Sequence, residues 1–263
     1  MTLTFSDCYT YTFKHHWKYQ AQAKTTRVNY QNIIGVSRPV AELATGAWWT
    51  ELVTHLKDQG LAPSTIHKVI AVATFAVNFT RKAGLHSVNI PEFSRPKLTK
   101  KRRPHFTREE VAALVSHSSV NLADAILVSA YTGIRQDELL SLTPEAIEDN
   151  GIHVVDSKGD DRFVPMHPEV ATIINRRLTN TRLFGDDWLN NDQLYGAFLK
   201  ARAAAGLSNK KVWHSLRHSF GTWLAEKASV QQIKDLMGHK SILTSQIYIH
   251  SNPELNRSAV SLL

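Results

Sequence analysis

The chain has 263 residues, 43% of them apolar and 21% charged, with a formal net charge of +8. That is the balance of a globular protein with room for one large core or two modest ones. The longest apolar run, residues 69–79, is interrupted by Asn78 and falls short of the ~18 to 20 residues of a spanning helix. The opening MTLTFSDCYTY lacks the basic region and apolar core of a secretory signal. A single cysteine, Cys8, excludes an intramolecular disulfide and a thiolate-rich zinc site. A cytoplasmic, nucleoid-associated location is the expectation. The charge is uneven: residues 1–104 hold 15 Lys and Arg against 5 Asp and Glu, whereas residues 105–263 hold 16 against 18. The whole positive excess sits in the front of the chain, as expected of a part that rides on a polyanion.

Residues 1–93 read as a small helical bundle. Weakly patterned segments fall at 5–19 and 26–34. Trp48, Leu52, Val53 and Leu56 mark a third helix, closed by Gly60. Pro63 and Ser64 open a fourth, with Ile66, Val69, Ile70, Ala73 and Val77 on one stripe, ended by Gly84. Their polar faces carry Lys14, Lys18, Lys24, Arg27, Lys68, Arg81 and Lys82, with Thr65 and His67 among them, all suited to phosphate contacts and a few base edges. Residues 94–104, SRPKLTKKRRP, form a basic linker whose prolines exclude a helix, and Lys97, Lys100, Lys101, Arg102 and Arg103 are expected to lie along a DNA backbone.

A second domain, 105–263, opens with the capping box Thr107-x-x-Glu110. A buried helix over 121–132 follows, stopped by Gly133. Arg135 begins a new turn whose Asp137 and Glu138 suit a helix N-terminus. After Pro144 the period becomes two, with Ile152 and Val154, then Phe163 and Pro165, alternating about the turn SKGDD. This reads as a β-hairpin with Lys158 at its tip. Helical patterns return over 168–178 and 194–205. The expected class is therefore mainly α with a small β-sheet.

The stretch 211–248 carries the densest chemistry. A helix through KVWHSLRHSF sets Leu216, Phe220, Trp223 and Leu224 on one face and His214, Arg217, His218 and Gly221 on another. Gly238 ends a further helix just before His239, and Tyr248 lies in the apolar-patterned segment 242–249. His218, four residues after His214, makes an imidazole pair of the kind that binds zinc. No third ligand is evident, so it reads as structural. Tyr131 and Tyr195 are alternative phenols read as packing residues, and Trp213 and Trp223 read as core.

Taken in order, Arg135, Lys158, His214, Arg217, His239 and Tyr248, in the contexts YTGIRQDEL, SKGDDRFVP, WHSLRHSF and LMGHK, resemble the tyrosine recombinase family, the integrases of phages and their site-specific relatives. The resemblance is tight over about residues 105–250. It extends forward to PSTIHKVIAVATFAVNFTRKAG, which looks like the last helices of the family's core-binding domain. It implies a core-binding domain (1–93) and a catalytic domain of the DNA-breaking-rejoining fold, closing as a clamp on duplex DNA.

The role of each residue follows from the chemistry. A phosphodiester under attack gains charge on its non-bridging oxygens, which the guanidiniums of Arg135 and Arg217 are suited to hold. Tyr248 supplies the nucleophile; a free phenol titrates near ~10 and needs neighbouring cations and a base. His214 is expected to act on that proton, Lys158 to protonate the leaving 5′ oxygen with Arg162 as its rival, and His239 to bond the phosphate. Glu138 pairs with Arg135 or positions it. The resemblance implies a 3′-phosphotyrosyl link with a free 5′-hydroxyl, conserving the bond energy so that neither ATP nor metal is needed. Accordingly the sequence holds no GxxxxGK[ST] loop, no HExxH and no evident acidic cluster.

The leading expectation is a phage or prophage integrase in a bacterial host cell, binding double-stranded attachment sites. It would be monomeric when free and tetrameric on synapsed DNA, with accessory DNA-bending or directionality proteins as partners. The alternatives are a Xer-like replicon-resolving recombinase, a type IB topoisomerase and a DNA-binding protein that never cuts. Many phage integrases carry a further N-terminal domain for arm sites. Here the core-binding pattern starts almost at Met1, which implies a simpler recombinase or a trimmed chain. In the short tail after Tyr248, Val260, Leu262 and Leu263 are expected to dock on a neighbouring protomer.

Overall fold

The computed structural model describes residues 2–98, 103–148, 151–155 and 161–249. The chain divides into two compact units between Lys101 and Arg102.

The first unit is a helical bundle. α1 (Phe5–Thr12) starts at a capping box in which Thr4 and Asp7 satisfy each other's backbone N–H groups. It runs on into a π-helical turn, Phe13–Trp17, so the segment expected over 5–19 holds one wider turn. α2 (Ala23–Gln31), a 3₁₀ turn (Val40–Ala44), α3 (Gly46–Asp58) and α4 (Pro63–Lys82) follow. The predicted stripe of α4 is the buried one: Ile66, Val69, Ile70, Ala73 and Val77 meet Phe5, Trp48, Trp49, Leu52 and Leu56 in one core. Trp49 Nε1 donates to Leu43 O at 2.9 Å, so this buried indole keeps its hydrogen bond. Residues 86–98 run without regular structure, held to α4 by a 2.8 Å contact between His67 Nε2 and Pro96 O.

The second unit packs helices around α6. Its elements are α5 (Arg108–Ser116), α6 (Val120–Thr132), α7 (Gln136–Ser141), β1 (Ile147–Glu148), β2 (Gly151–Val154), β3 (Arg162–Pro165), α8 (Pro168–Asn175), α9 (Asn191–Ala204), α10 (His214–Leu224), α11 (Val230–Met237) and α12 (Ile242–Ile249). α5 begins at the predicted Thr107–Glu110 capping box. α6 is buried on several sides, with Ala125, Ile126, Val128 and Ala130 fully enclosed. It also buries Asp124, whose charge is met by Arg176 and Arg177. Recruiting those two arginines coincides with the end of α8 at Asn175, short of the predicted 178. Phe106 N–H donates to Ser219 Oγ at 2.8 Å, pinning the start of this unit to α10.

The sheet is antiparallel in the order β1-β2-β3, with Ile152 opposite Val164 and Val154 opposite Arg162. Two features differ from expectation. A two-residue strand, β1, joins the hairpin. The phase of β3 is shifted by one residue: Arg162 and Val164 point inward, while Phe163 is 42% exposed. The alternation in sequence predicts Phe163 and Pro165 as the inward pair. The shift turns the Arg162 guanidinium to Glu138, giving this buried carboxylate a second charged partner beside Arg135. Among the described residues no helix is long and apolar enough to cross a membrane.

Candidate active site

Three helix ends converge in the second unit. α6 stops at Gly133, whose φ of 64° is the left-handed conformation that closes a helix at little cost only for glycine. A Cβ there would lie 2.4 Å from the Phe220 ring of α10, so the close packing of α6 on α10 also requires glycine. Two residues on, Arg135 is the N-cap of α7. Its N–H donates to Glu138 Oε2 at 2.7 Å and its Nη1 to Glu138 Oε1 at 2.5 Å. Arg162 reaches the same carboxylate from β3, with Nη2 2.8 Å from Oε2 and Nη1 3.2 Å from Oε1. Burial alone raises the Glu138 pKa, but the hydrogen bonds and charges of Arg162 and Arg135 outweigh it and hold the carboxylate ionised.

Arg217 projects from α10 and donates to Gly133 O and Met237 O, carbonyls at the C-terminal ends of α6 and α11. Helix C-termini attract cations, which offsets part of the cost of burying a guanidinium that is 3% exposed. Burial, then Arg135 and Arg162, pull its pKa down to about 9, so it stays charged at neutral pH. Arg135 and Arg217 therefore feel each other's charge across one site.

Tyr248, on α12, enters this site and is 5% exposed. Its ring lies against the backbone of α10 at Gly221, where a Cβ would come within 2.7 to 2.8 Å of the ring. It is nearly parallel to the His239 ring, 7° between planes with centroids 6.3 Å apart. His239 is fixed from its other side by a 2.8 Å bond between Nδ1 and the buried Ser245 Oγ. Burial raises the Tyr248 pKa against the opposing pull of Arg217 and Arg103, so the phenol keeps its proton at neutral pH.

The phenol's hydrogen-bond partner is His218, Nδ1 to Oη 2.9 Å, and not His214, to which the sequence assigns the proton. The reason is helical geometry: His218 lies one turn further along α10, inside the site, whereas His214 begins the helix at the exposed rim. Their rings meet edge to face with centroids 4.7 Å apart. All three histidines are held neutral. Desolvation and then the Arg217, Arg103 and Arg135 cations lower the His214 pKa. Desolvation, His214 and Arg103 bring His218 to about 3. Desolvation, Arg217 and Arg135 bring His239 to about 4. Such a set of fixed guanidiniums and neutral imidazoles around one phenol is suited to bind a phosphate anion and leave its charge to the arginines. Among the described residues no group of His, Cys, Asp or Glu is arranged to hold a metal ion.

Of the residues singled out in sequence, Arg135, Glu138, His214, Arg217, His239 and Tyr248 are brought together. Lys158 lies outside the described residues. Arg162, weighed only as a rival to Lys158, belongs instead to the Glu138 carboxylate. Tyr131 stacks on His167 and Tyr195 on Phe198, as packing residues. Trp213 packs edge to face on Phe198, and Trp223 is half-buried beneath Arg108. Of the residues assigned to DNA, Lys68, Lys82, Lys97 and Arg103 are exposed and Arg81 is half-buried. Lys100, Lys101, Arg102 and residues 250–263, with Val260, Leu262 and Leu263, lie outside the described residues. Sequence reasoning missed the contacts of His218, Ser245 and Arg162, all formed with partners brought in by the tertiary fold or by the turn into α12.

Residues 104–254 match the sequence model described as "Phage integrase family". The chain belongs to the phage integrase family, the tyrosine recombinases, whose members cut and rejoin DNA. It is 27% identical over 273 aligned residues to the tyrosine recombinase XerD of Lacticaseibacillus casei, covering 89% of this chain and 90% of that one. It is 28% identical to the integrase of Escherichia phage P2, covering 78% of this chain and 61% of that one. The fold is that of solved integrases. The Tn1549 transposon integrase in complex with a circular intermediate DNA superposes with a TM-score of 0.78 at 19% identity, covering 100% of both chains. A lambda integrase tetramer bound to a Holliday junction gives 0.77 at 18% identity, covering 94% of this chain and 77% of that one.

Proposed function

We propose that this tyrosine recombinase is a site-specific phage or prophage integrase, in which Tyr248 attacks a DNA phosphodiester held by Arg135 and Arg217. The observation that carries the reading is the arrival of the Tyr248 phenol among Arg217, His239 and His218, on the floor formed by Gly221. Attack forms the bond from Tyr248 Oη to phosphorus as the phenol proton passes to the neutral imidazole that accepts its hydrogen bond, and breaks the bond to the 5′ oxygen, which leaves as a hydroxyl protonated by Lys158. The product is a 3′-phosphotyrosyl link. A new 5′-hydroxyl reverses the step on another strand, and conservation of the ester bond removes any need for ATP or metal. His239, oriented by Ser245, bonds the phosphate, while Glu138 holds Arg135 in place. The basic front of the chain, with Lys68, Arg81, Lys82, Lys97, Lys100, Lys101, Arg102 and Arg103, supplies phosphate contacts along the duplex. The lambda and Tn1549 complexes support DNA as the partner and a tetramer as the working assembly. Accessory DNA-bending or directionality proteins belong to the same proposal.

A pool of nicked duplexes with a randomised core tests the reading. The protein is expected to capture a subset as denaturation-resistant adducts, and Tyr248→Phe to bind the same subset without capture. Adducts formed equally by Tyr248→Phe contradict the assignment. A second reading, resolution of replicon dimers, is supported by the 90% coverage of the XerD relative. Joining of two unlike captured sites on separate molecules favours integration; exchange restricted to identical sites favours resolution.

A further inference from the structure

We infer that His218 is a positioning residue for the nucleophile: its unprotonated Nδ1 accepts the Tyr248 hydroxyl and, with Gly221 beneath the ring, aims the phenol at the phosphate site. The inference rests on Tyr248 being the nucleophile and adds a residue to that reading.

Three independent features of the geometry meet here. The contact is direct, 2.9 Å between Nδ1 and Oη, and joins residues 30 apart in sequence. Both partners are buried, His218 at 7% and Tyr248 at 5% exposure, so the hydroxyl has little access to water and removal of its acceptor leaves an unsatisfied donor. The ring itself rests against the α10 backbone at Gly221 and lies nearly parallel to the His239 ring, with centroids 6.3 Å apart. The hydrogen bond to His218 sets the direction of the hydroxyl.

The charges around the ring decide between holding the proton and taking it. Desolvation, and after it the charges of His214, Arg103, Arg217 and His105, keep His218 neutral down to about pH 3. Tyr248 titrates above its ordinary 10.0. A proton does not pass from such a phenol to such an imidazole to form a resting ion pair. His218 therefore orients the O–H in the Nε2–H tautomer, and the proton passes to Nδ1 only as Oη bonds to phosphorus.

The test uses a duplex captured from the randomised nicked pool and a pair of side chains of equal size. His218→Leu removes the acceptor, while His218→Asn keeps an amide oxygen near the same place. With Leu, the adduct-forming rate at saturating DNA is expected to fall about 100-fold, the scale of a 1 Å misplacement. The DNA concentration at half-saturation should stay within about twofold, and Asn should recover at least about tenfold of the loss, the scale of one hydrogen bond regained. Equal rates for Leu and Asn, or a Leu variant as fast as the parent, overturn the proposal. Tyr248→Phe run in parallel separates the two claims: adducts formed by that variant defeat the nucleophile assignment and the inference with it, whereas adducts that need Tyr248 but form equally fast with His218→Leu defeat the histidine alone. Should the Leu variant fail to fold, ¹⁵N-histidine spectra of the intact DNA-free protein carry the test. A ring unprotonated at Nδ1 and protonated at Nε2 at pH 6, shifted by Tyr248→Phe, is expected. An Nδ1–H tautomer, or no response to Tyr248→Phe, overturns it.

Discussion

At the scale of single residues, Gly221 shows how position sets the sign of a substitution. Glycine to alanine in a helix interior ordinarily stabilises by about 1 kcal/mol. Here the added methyl would meet the Tyr248 ring at 2.7 to 2.8 Å. Gly221→Ala is expected to leave α10 folded, to displace the phenol and to slow adduct formation by about 100-fold, with duplex binding retained. A rate equal to the parent in a single-turnover assay would show that the ring does not rest there during attack.

The buried histidines set a second residue-scale expectation. His218 and His239 have folded pKa values of about 3 and about 4, below the ~6.5 of an unfolded histidine. Below pH 6.5 the unfolded chain binds protons that the folded chain does not, so stability is full above that pH and is lost as pH falls toward 4. Urea unfolding between pH 7.5 and 4.5 should show this loss. Replacing His218 by Asn should flatten it by up to about 1.4 kcal/mol per pH unit.

At the scale of elements, Glu138 ties α7 to β3. Removing one partner of a buried ion pair leaves the other charge uncompensated, at a cost of about 3 to 5 kcal/mol. Arg162 is such a partner, with a side chain 3% exposed. Glu138→Gln is therefore expected to lower the thermal midpoint by several degrees, and, with Arg135 released, to slow adduct formation by about 100-fold. A variant as stable as the parent in calorimetry would contradict the shared clasp. The same element shows where sequence reading stops. The stripe of α4, the Thr107 capping box and the helix end at Gly133 are written in local spacing, because cap chemistry and period depend on residues within one or two turns. The phase of β3 is not local. Phe163 and Arg162 compete for one inward position, and the winner is chosen by a carboxylate 24 residues away. His214 and His218 likewise share a helix face, and α12 docks over the inner turn of α10, which brings His218 and not His214 to Tyr248.

At the scale of the whole molecule, the chain separates a basic front from a near-neutral second unit that has its own core. Residues 103–263 expressed alone are expected to unfold cooperatively and to keep the arrangement around Tyr248. Their affinity for a captured duplex should depend less steeply on salt than that of the full chain, by about 0.9 in log–log slope for every phosphate that the front of the chain neutralises. Equal slopes from fluorescence anisotropy over 50 to 300 mM salt would place the phosphate-binding groups elsewhere.

The covalent bond between protein and DNA is open to direct measurement. Digesting the trapped adduct with protease and nuclease, then sequencing the peptide–nucleotide conjugate by mass spectrometry, identifies the amino acid and the strand end together. The predicted result is a 3′-phosphate on Tyr248, with a free 5′-hydroxyl on the released strand. A conjugate on Tyr131 or Tyr195, or one joined through a 5′-phosphate, would contradict it.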